Sequence, residues 1–139
     1  MAMTADEYFE RGNDFFNKRE YDRAIADYTE AIRLNPQCIN AYRWRGIMSY
    51  LKYEYDRAIA DLSEAIQLNP RDAEAYNYRG LCFYYKDEYD SAIADFDRTL
   101  AIDPMNPYAA NNRQRAVDEQ DDPDGVRRSH TASMDDAEG

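Results

Sequence analysis

Hydrophobic positions recur every three or four residues along two neighbouring segments near the start of the chain. Tyr8, Gly12 and Phe15 share one side of a helix that we predict at 5–18 and call helix A. A second segment, helix B, is predicted at 22–34. Its apolar positions are Ala24, Ile25, Tyr28, Ala31 and Ile32. Because the connection at 18–20 is short, the two helices are expected to lie antiparallel.

This pair of segments occurs three times, at an interval of 34 residues. Residues 21–36 are YDRAIADYTEAIRLNP, residues 55–70 are YDRAIADLSEAIQLNP, and residues 89–104 are YDSAIADFDRTLAIDP. A fixed period of this length is typical of stacked helical units, in which each unit covers the hydrophobic side of its neighbour. The units are 5–38, 39–72 and 73–106, and positions are numbered from the first residue of each unit.

Two further features recur at fixed positions of every unit. Position eight is a glycine inside helix A, although glycine costs about 1 kcal/mol against alanine in a helix interior. We therefore expect helix B to approach closely there, with the alanines at position twenty as counterparts. The glycines are Gly12, Gly46 and Gly80, and the alanines are Ala24, Ala58 and Ala92. Arginine at position seven and aspartate at position twenty-three predict partly buried ion pairs that fix the two helices.

The repeat stops after residue 104. The polar segment that follows has one weakly apolar side, and we predict a capping helix at about 107–117 that presents a soluble outer face. The folded domain would then span 1–117. The remainder, 118–139, has eight acidic residues, two arginines and almost no large apolar side chains, so we expect an acidic, disordered tail.

Composition narrows the function. The formal net charge of −11 disfavours binding to nucleic acid or to an anionic membrane surface, because phosphate contacts require Lys and Arg. Cys38 and Cys82 lack the spacing of a disulfide framework or zinc site, so two free thiols are expected. Neither a signal peptide nor a membrane span is predicted. Together these features indicate a cytoplasmic protein.

The sequence offers no arrangement of residues suited to catalysis. Its one histidine, His130, lies in the predicted tail, so a histidine-based triad or zinc site is not expected in the repeats. A glycine-rich phosphate loop is also missing from the sequence. We therefore expect neither an enzyme nor a bound cofactor or metal.

The repeated residues resemble those of the tetratricopeptide repeat (TPR) family. The resemblance covers about 5–106 and rests on the aromatic at position four, the glycine at eight, the alanine at twenty and the proline at thirty-two. Three departures are mild: Ser49 replaces the aromatic usual at position eleven, Leu62 the aromatic usual at twenty-four, and Thr99 the small residue usual at twenty-seven. Membership implies an all-α, right-handed superhelical solenoid of three helix-turn-helix units plus a C-terminal capping helix. It also implies a role in binding proteins or peptides, in a concave groove lined by the helices A.

In such a groove, positions two, five, six, nine, twelve and thirteen of helix A would face the ligand. Here this stripe is aromatic and apolar where a solvent-facing side would be polar, which favours peptide docking on aromatic anchors. Trp44 and Tyr78 are the strongest anchor candidates, and burial against a neighbouring helix A is the alternative for any single residue. The predicted groove residues are Phe9, Asn13, Phe16, Arg43, Trp44, Ile47, Tyr50, Asn77, Tyr78, Leu81, Tyr84 and Tyr85.

In one subclass of the family, cationic and amide side chains form a clamp that binds the C-terminal carboxylate of heat-shock chaperones. Of the five clamp positions, only Asn13 matches here. The other four are Phe9, Trp44, Glu74 and Tyr78. A carboxylate requires cationic donors, and Glu74 has the opposite charge, so we predict that this chain is not such a clamp.

The stripe that would face the ligand has a mildly acidic balance of charged residues. They are Asp6, Glu10, Arg43 and Glu74. We therefore expect a ligand segment with apolar anchors and one or more basic residues. The alternative is a structural protein that associates with itself into homo-oligomers through the aromatic stripe or an exposed terminal helix.

Overall fold

Seven α-helices make up residues 2–122, the part of the chain that the computed structural model describes. They are α1 (Ala5–Asn17), α2 (Tyr21–Leu34), α3 (Ile39–Leu51), α4 (Tyr55–Leu68), α5 (Ala73–Tyr85), α6 (Tyr89–Ile102) and α7 (Ala109–Gln120). In the first unit, helix A is α1 and helix B is α2, and both agree with the predicted bounds to within one residue. Each helix packs mainly against its neighbours in the chain, so the units stack into the all-α solenoid that the repeat predicts.

The turn between helix A and helix B has the same geometry in each unit. Position fifteen is left-handed, with φ of 59° at Arg19, 64° at Tyr53 and 62° at Asp87. The next N–H returns to the carbonyl of position eleven, as from Glu20 to Phe15 at 2.9 Å in the first unit. These bonds satisfy the last carbonyl groups of helix A and direct the chain back along it.

The glycines at position eight make room for the large side chain at position twenty-four of helix B. A Cβ atom added to Gly12 would lie 2.7 Å from the ring of Tyr28, and one added to Gly80 would lie 2.6 Å from the ring of Phe96. In the second unit a leucine takes this place, at 2.9 Å, and the carbonyl oxygen of the alanine at position twenty is also near, at 3.3 Å. The expected close approach is therefore confirmed, but the alanines at position twenty were the wrong principal partner.

The predicted ion pairs between positions seven and twenty-three are confirmed. Arg79 donates from Nε and Nη2 to the two carboxylate oxygens of Asp95, each at 2.8 Å, and the same two-bond geometry occurs in the other units. The third nitrogen crosses to the preceding unit: Nη1 of Arg79 donates to Ser63 Oγ at 3.1 Å, and Nη1 of Arg45 to Thr29 Oγ1 at 3.1 Å. The arginine thus joins helix A to its own helix B and, in these two units, to the helix B before it.

The capping helix α7 occupies the place of a fourth helix A. Arg113 lies 34 residues after Arg79, and its Nε donates to Asp97 of α6 at 2.6 Å. Gln120 takes the place of the lysines at position fourteen and contacts Asp90, as Lys86 contacts Asp56. The helix therefore follows the register of the units and continues to Gln120, beyond the predicted end at 117.

The predicted tail at 118–139 is described only in its first five residues. Residues 118–120 belong to α7, and Glu119 and Asp122 are buried. The boundary of the folded part therefore lies beyond residue 117. The rest of the predicted tail, 123–139 with His130, lies outside the described residues.

The outward side of α1 differs from the equivalent side of the other helices A. Positions three and ten of α3, α5 and α7 are fully buried beneath the preceding helix B. They are Ala41, Met48, Ala75, Cys82, Ala109 and Ala116. In α1 the same positions are Glu7 and Asp14, both exposed. This side is therefore suited to water, as terminal units of stacked repeats require.

Within residues 2–122, no helix is both long and apolar enough to cross a bilayer. Cys38 and Cys82 are both free thiols, as expected from their spacing. Cys82 is buried, and this burial raises its pKa to about 12.

Gly80→Ala tests the packing of position eight. Alanine stabilises an open helix by about 1 kcal/mol over glycine, but here the added methyl group would lie 2.6 Å from the buried ring of Phe96. Overpacking of this kind costs about 1–3 kcal/mol. We expect a net loss in the free energy of unfolding, measured by urea denaturation.

Ala94→Gly is the control, because Ala94 is exposed in the interior of α6. It should lose about 1 kcal/mol from helix propensity alone. A Gly80→Ala variant that gains as much as Ala94→Gly loses would contradict the packing account.

Candidate functional site

The helices α1, α3, α5 and α7 form one surface of the solenoid, which we call the A face. Direct contacts join α3 to α5 and α5 to α7 in addition to the contacts through the helices B. The A face is defined by positions two, five, six, nine, twelve and thirteen of these helices. It contains all twelve residues of the predicted groove.

Aromatic rings bridge the first two units on the A face. The rings of Phe16 and Trp44 lie 5.2 Å apart between centroids, at an interplanar angle of 46°. Phe9 packs on Tyr28 at 5.7 Å, and the Tyr28 hydroxyl donates to Asn13 Oδ1 at 2.6 Å. The four predicted groove residues named here are all half-buried, so each packs inward on one side and stays open on the other. They are Phe9, Asn13, Phe16 and Trp44.

A second aromatic group joins the second and third units. Tyr50 contacts Tyr78 edge-on at 5.6 Å and Tyr85 at 6.3 Å. Tyr85 also stacks on Tyr55 at 5.6 Å, with the two planes 12° apart. Tyr55 is the first residue of helix B and was missed because tyrosine occurs there in all three units, which suggested a purely structural role. The available signal was that this first residue of helix B is aromatic and follows shortly after position thirteen, where the stripe on helix A ends.

Arg43, the one cation among the predicted groove residues, is already engaged. Its Nη1 donates to Asp72 Oδ2 at 3.1 Å and its Nη2 to Asn40 Oδ1 at 2.7 Å, while Nε lies 3.9 Å from Glu74 Oε2. Asp72 also caps α5 by accepting from the Ala75 N–H at 3.1 Å. The arginine therefore ties α3 to the start of α5.

Three of the predicted groove residues are buried and offer little surface to a ligand. Ile47 belongs to the core cluster of the first two units. Asn77 Oδ1 accepts from the Asn112 amide at 3.4 Å, and the guanidinium of Arg115 lies 5.2 Å above the Tyr84 ring. Asn77 and Tyr84 are therefore covered by α7. Ile47, Asn77 and Tyr84 were predicted to line the groove, but all three are packed inside the structure. Leu81 is half-buried in the core cluster of the third unit.

The A face is lined by aromatic rings that remain partly open to solvent. Two surface depressions, of about 460 and 380 Å³, lie outside it, and none of the predicted groove residues lines either one. The first lies beside Tyr53, Tyr55 and Lys86 at the turn between helices A and B. In residues 2–122 there is also no cluster of three side chains able to hold a metal ion. An open, ring-lined surface is better suited to a peptide segment than to a small molecule.

Burial shifts the titration of the tyrosines that form this surface. It raises the pKa of Tyr50, and the neighbouring Tyr85 adds to the shift. Burial also raises the pKa of Tyr78, with further contributions from Glu74 and Tyr108. These phenols therefore remain neutral hydrogen-bonding groups at physiological pH.

Models of the tetratricopeptide repeat match residues 5–38 and 54–107, which together are more than half of the chain. Over 37 residues the chain is 54% identical to Hsp70-Hsp90 organizing protein 1 of Arabidopsis thaliana, a match to 27% of this chain and 6% of that protein's length. The chain therefore spans only a small part of the relative's length.

Two solved structures have the same fold over most of their length. The first TPR domain of Spaghetti (RPAP3), bound to the HSP90 peptide SRMEEVD, has a TM-score of 0.81 and 26% identity and covers 83% of this chain and 91% of that one. The second TPR domain of human RPAP3, in complex with the HSP70 peptide SGPTIEEVD, has a TM-score of 0.78 and 26% identity. It covers 81% of this chain and 94% of that one.

The raised pKa of Tyr50 predicts a loss of stability at alkaline pH. A phenol with a higher pKa in the folded chain stabilises the fold only while it is protonated, so stability falls as pH rises above about 10, the pKa of the unfolded chain. Tyr50→Phe removes one such group. We expect the variant's free energy of unfolding to decline less steeply between about pH 10 and 12, by up to about 1.4 kcal/mol per pH unit.

Tyr53→Phe serves as the matched control, because Tyr53 is 79% exposed. Its stability should follow the wild-type curve across the same pH range. Equal slopes for Tyr50→Phe and wild type would contradict the assignment of a raised pKa to the half-buried Tyr50 phenol.

Proposed function

Because the chain belongs to the tetratricopeptide repeat family, we propose that it is a non-catalytic interaction module that binds a peptide segment along the A face. The observation that carries this proposal is the row of aromatic side chains supplied by successive helices A. Phe16 packs on Trp44, while Tyr78 and Tyr85 both pack on Tyr50. Each of these rings keeps part of its surface open. Aromatic side chains of this kind provide much of the binding energy in protein interfaces.

The peptide complexes of the two similar TPR domains support a peptide ligand for this chain. Their ligands, SRMEEVD and SGPTIEEVD, both end in aspartate and contain two glutamates. We propose that this chain takes a ligand of different charge. A terminal carboxylate needs cationic donors, and both arginines of the A face are engaged: Arg43 binds Asp72, and Arg115 lies over the Tyr84 ring.

The proposed ligand combines apolar anchors with basic residues. On α1, α3 and α5 the A face carries three acidic residues, Asp6, Glu10 and Glu74, against one arginine. Both Asp6 and Glu10 are exposed. A basic segment would therefore be attracted, while an acidic one would be repelled. The two free thiols are consistent with a reducing compartment, and we propose a cytoplasmic location on that basis.

Self-association, the alternative, has less support. End-to-end stacking would require an apolar outer side, whereas α1 presents Glu7 and Asp14 there. On α7, the position of the helix A glycines is taken by Gln114, which is exposed. Both ends are therefore polar at positions that are buried elsewhere in the solenoid.

The peptide SRMEEVD tests the proposed ligand charge. We expect calorimetry to show binding weaker than about 1 mM, that is, less favourable than about −4 kcal/mol. The reason is that Phe9, Trp44, Glu74 and Tyr78 supply no cation for its carboxylates. Tight binding that disappears when the C-terminal carboxylate is amidated would show that the chain is a carboxylate clamp after all.

A display library of random twelve-residue peptides tests the A face itself. We expect selection on the wild-type protein to enrich binders, and Trp44→Ala to weaken the best of them at least tenfold, since central aromatic anchors contribute about 2 kcal/mol or more. Tyr53→Ala is the control, because this exposed tyrosine lies at the turn between helices A and B.

The affinity of the Tyr53→Ala variant should stay within about twofold of wild type, as expected for a residue outside the interface. Thermal unfolding of both variants checks that the fold is retained. A folded Trp44→Ala variant that binds the selected peptides as well as wild type does would place the binding surface elsewhere.

A further inference from the structure

The A face carries an uncompensated negative charge near the start of α5. Asp72 is only 2% exposed and accepts a hydrogen bond from Arg43 at 3.1 Å, so these two charges neutralise each other. Glu74 lies farther from the same guanidinium, at 3.9 Å, and its side chain is 50% exposed. One cation therefore faces two carboxylates, and the more open carboxylate is left with excess charge.

A partly open tyrosine ring lies beside this carboxylate. Tyr78 follows Glu74 by four residues, which places the two side chains on the same side of α5. The Tyr78 ring is half-buried and is held edge-on by Tyr50 at 5.6 Å. Tyr108, which precedes α7, lies 34 residues after Glu74, so it takes the same position on the next helix of the A face, and it is 67% exposed. A carboxylate beside tyrosine rings can bind a cationic side chain through both an ion pair and cation–π contacts.

We propose that Glu74, Tyr78 and Tyr108 form a subsite for one Lys or Arg side chain of the bound peptide. The Phe16–Trp44 contact between α1 and α3 receives an apolar side chain of the same peptide. This inference rests on the proposed function, and it adds the location at which the ligand's basic residue binds.

The geometry also predicts the spacing between the two ligand residues. The cation subsite lies between α5 and α7, about two helix spacings of 8–10 Å each from the Phe16–Trp44 contact. Along the helix direction the centres of the two differ by about six residues, or about 9 Å at 1.5 Å per residue. The combined separation of about 20 Å corresponds to about six residues of extended peptide.

Selection from the random twelve-residue library on three proteins tests this subsite. On wild type, we expect Lys or Arg to be enriched about six residues from an aromatic or large aliphatic residue. On Glu74→Lys, this enrichment should disappear and Asp or Glu should replace it at the same spacing. Glu64→Lys is the matched control, because it makes the same charge change on α4, a helix B, and should select the wild-type pattern.

A double-mutant cycle quantifies the contact without reversing the charge. In the best wild-type binder, replacing the enriched Lys by Gln should weaken binding to the wild-type protein about tenfold. The same replacement should have almost no effect on Glu74→Gln, a nearly isosteric variant that leaves Arg43 and Asp72 unaltered. Circular dichroism confirms that each variant is folded.

The outcomes separate this inference from the proposed function. Unchanged basic enrichment on folded Glu74→Lys, or equal effects in the two arms of the cycle, would overturn the subsite while leaving groove binding intact. Failure of the folded wild-type protein to enrich any peptide would overturn the proposed function and the subsite with it.

Discussion

The arginine at position seven is the interaction on which the stacked structure depends. In the second and third units it holds the aspartate of its own helix B with two hydrogen bonds and the hydroxyl group of the preceding helix B with a third. In α7 the equivalent arginine bonds to Asp97 of the preceding helix. Because one rigid guanidinium group makes both kinds of contact, it fixes the helix pair and the stacking of the units together. This arrangement also sets the regular spacing of the helices that form the A face.

Small departures from the repeat determine which sides face water and which face a neighbour. Glu7 and Asp14 make the outer side of α1 polar at positions that are fully buried in later helices A. Gln114 in α7 replaces the glycine that admits a large side chain of helix B in the other units. The repeated residues therefore build the solenoid, and the exceptions to the repeat shape its surfaces. The same division applies to the A face, where variable aromatic side chains are carried on a constant backbone.

Periodicity was sufficient to predict the helices because each unit repeats the same backbone, and the three copies reinforce one another. It could not predict the burial of individual residues on the A face, because burial there depends on the next helix. Phe16 at position twelve is half-buried, but Tyr84 at the same position of the third unit is covered by Arg115 of α7. The partner of each position-eight glycine was likewise misjudged, since helical spacing gives the facing side of helix B but not the reach of its rings.

We propose that the A face, and not the outer surface made by the helices B, binds the ligand. Nuclear magnetic resonance of the labelled protein with a library-selected peptide tests it most directly, because Trp44 is the one tryptophan and its indole N–H gives a single resolved signal. We expect the largest chemical-shift changes at Trp44 and at residues of α1, α3 and α5. Changes concentrated on α2, α4 and α6, with an unperturbed Trp44 indole signal, would contradict it.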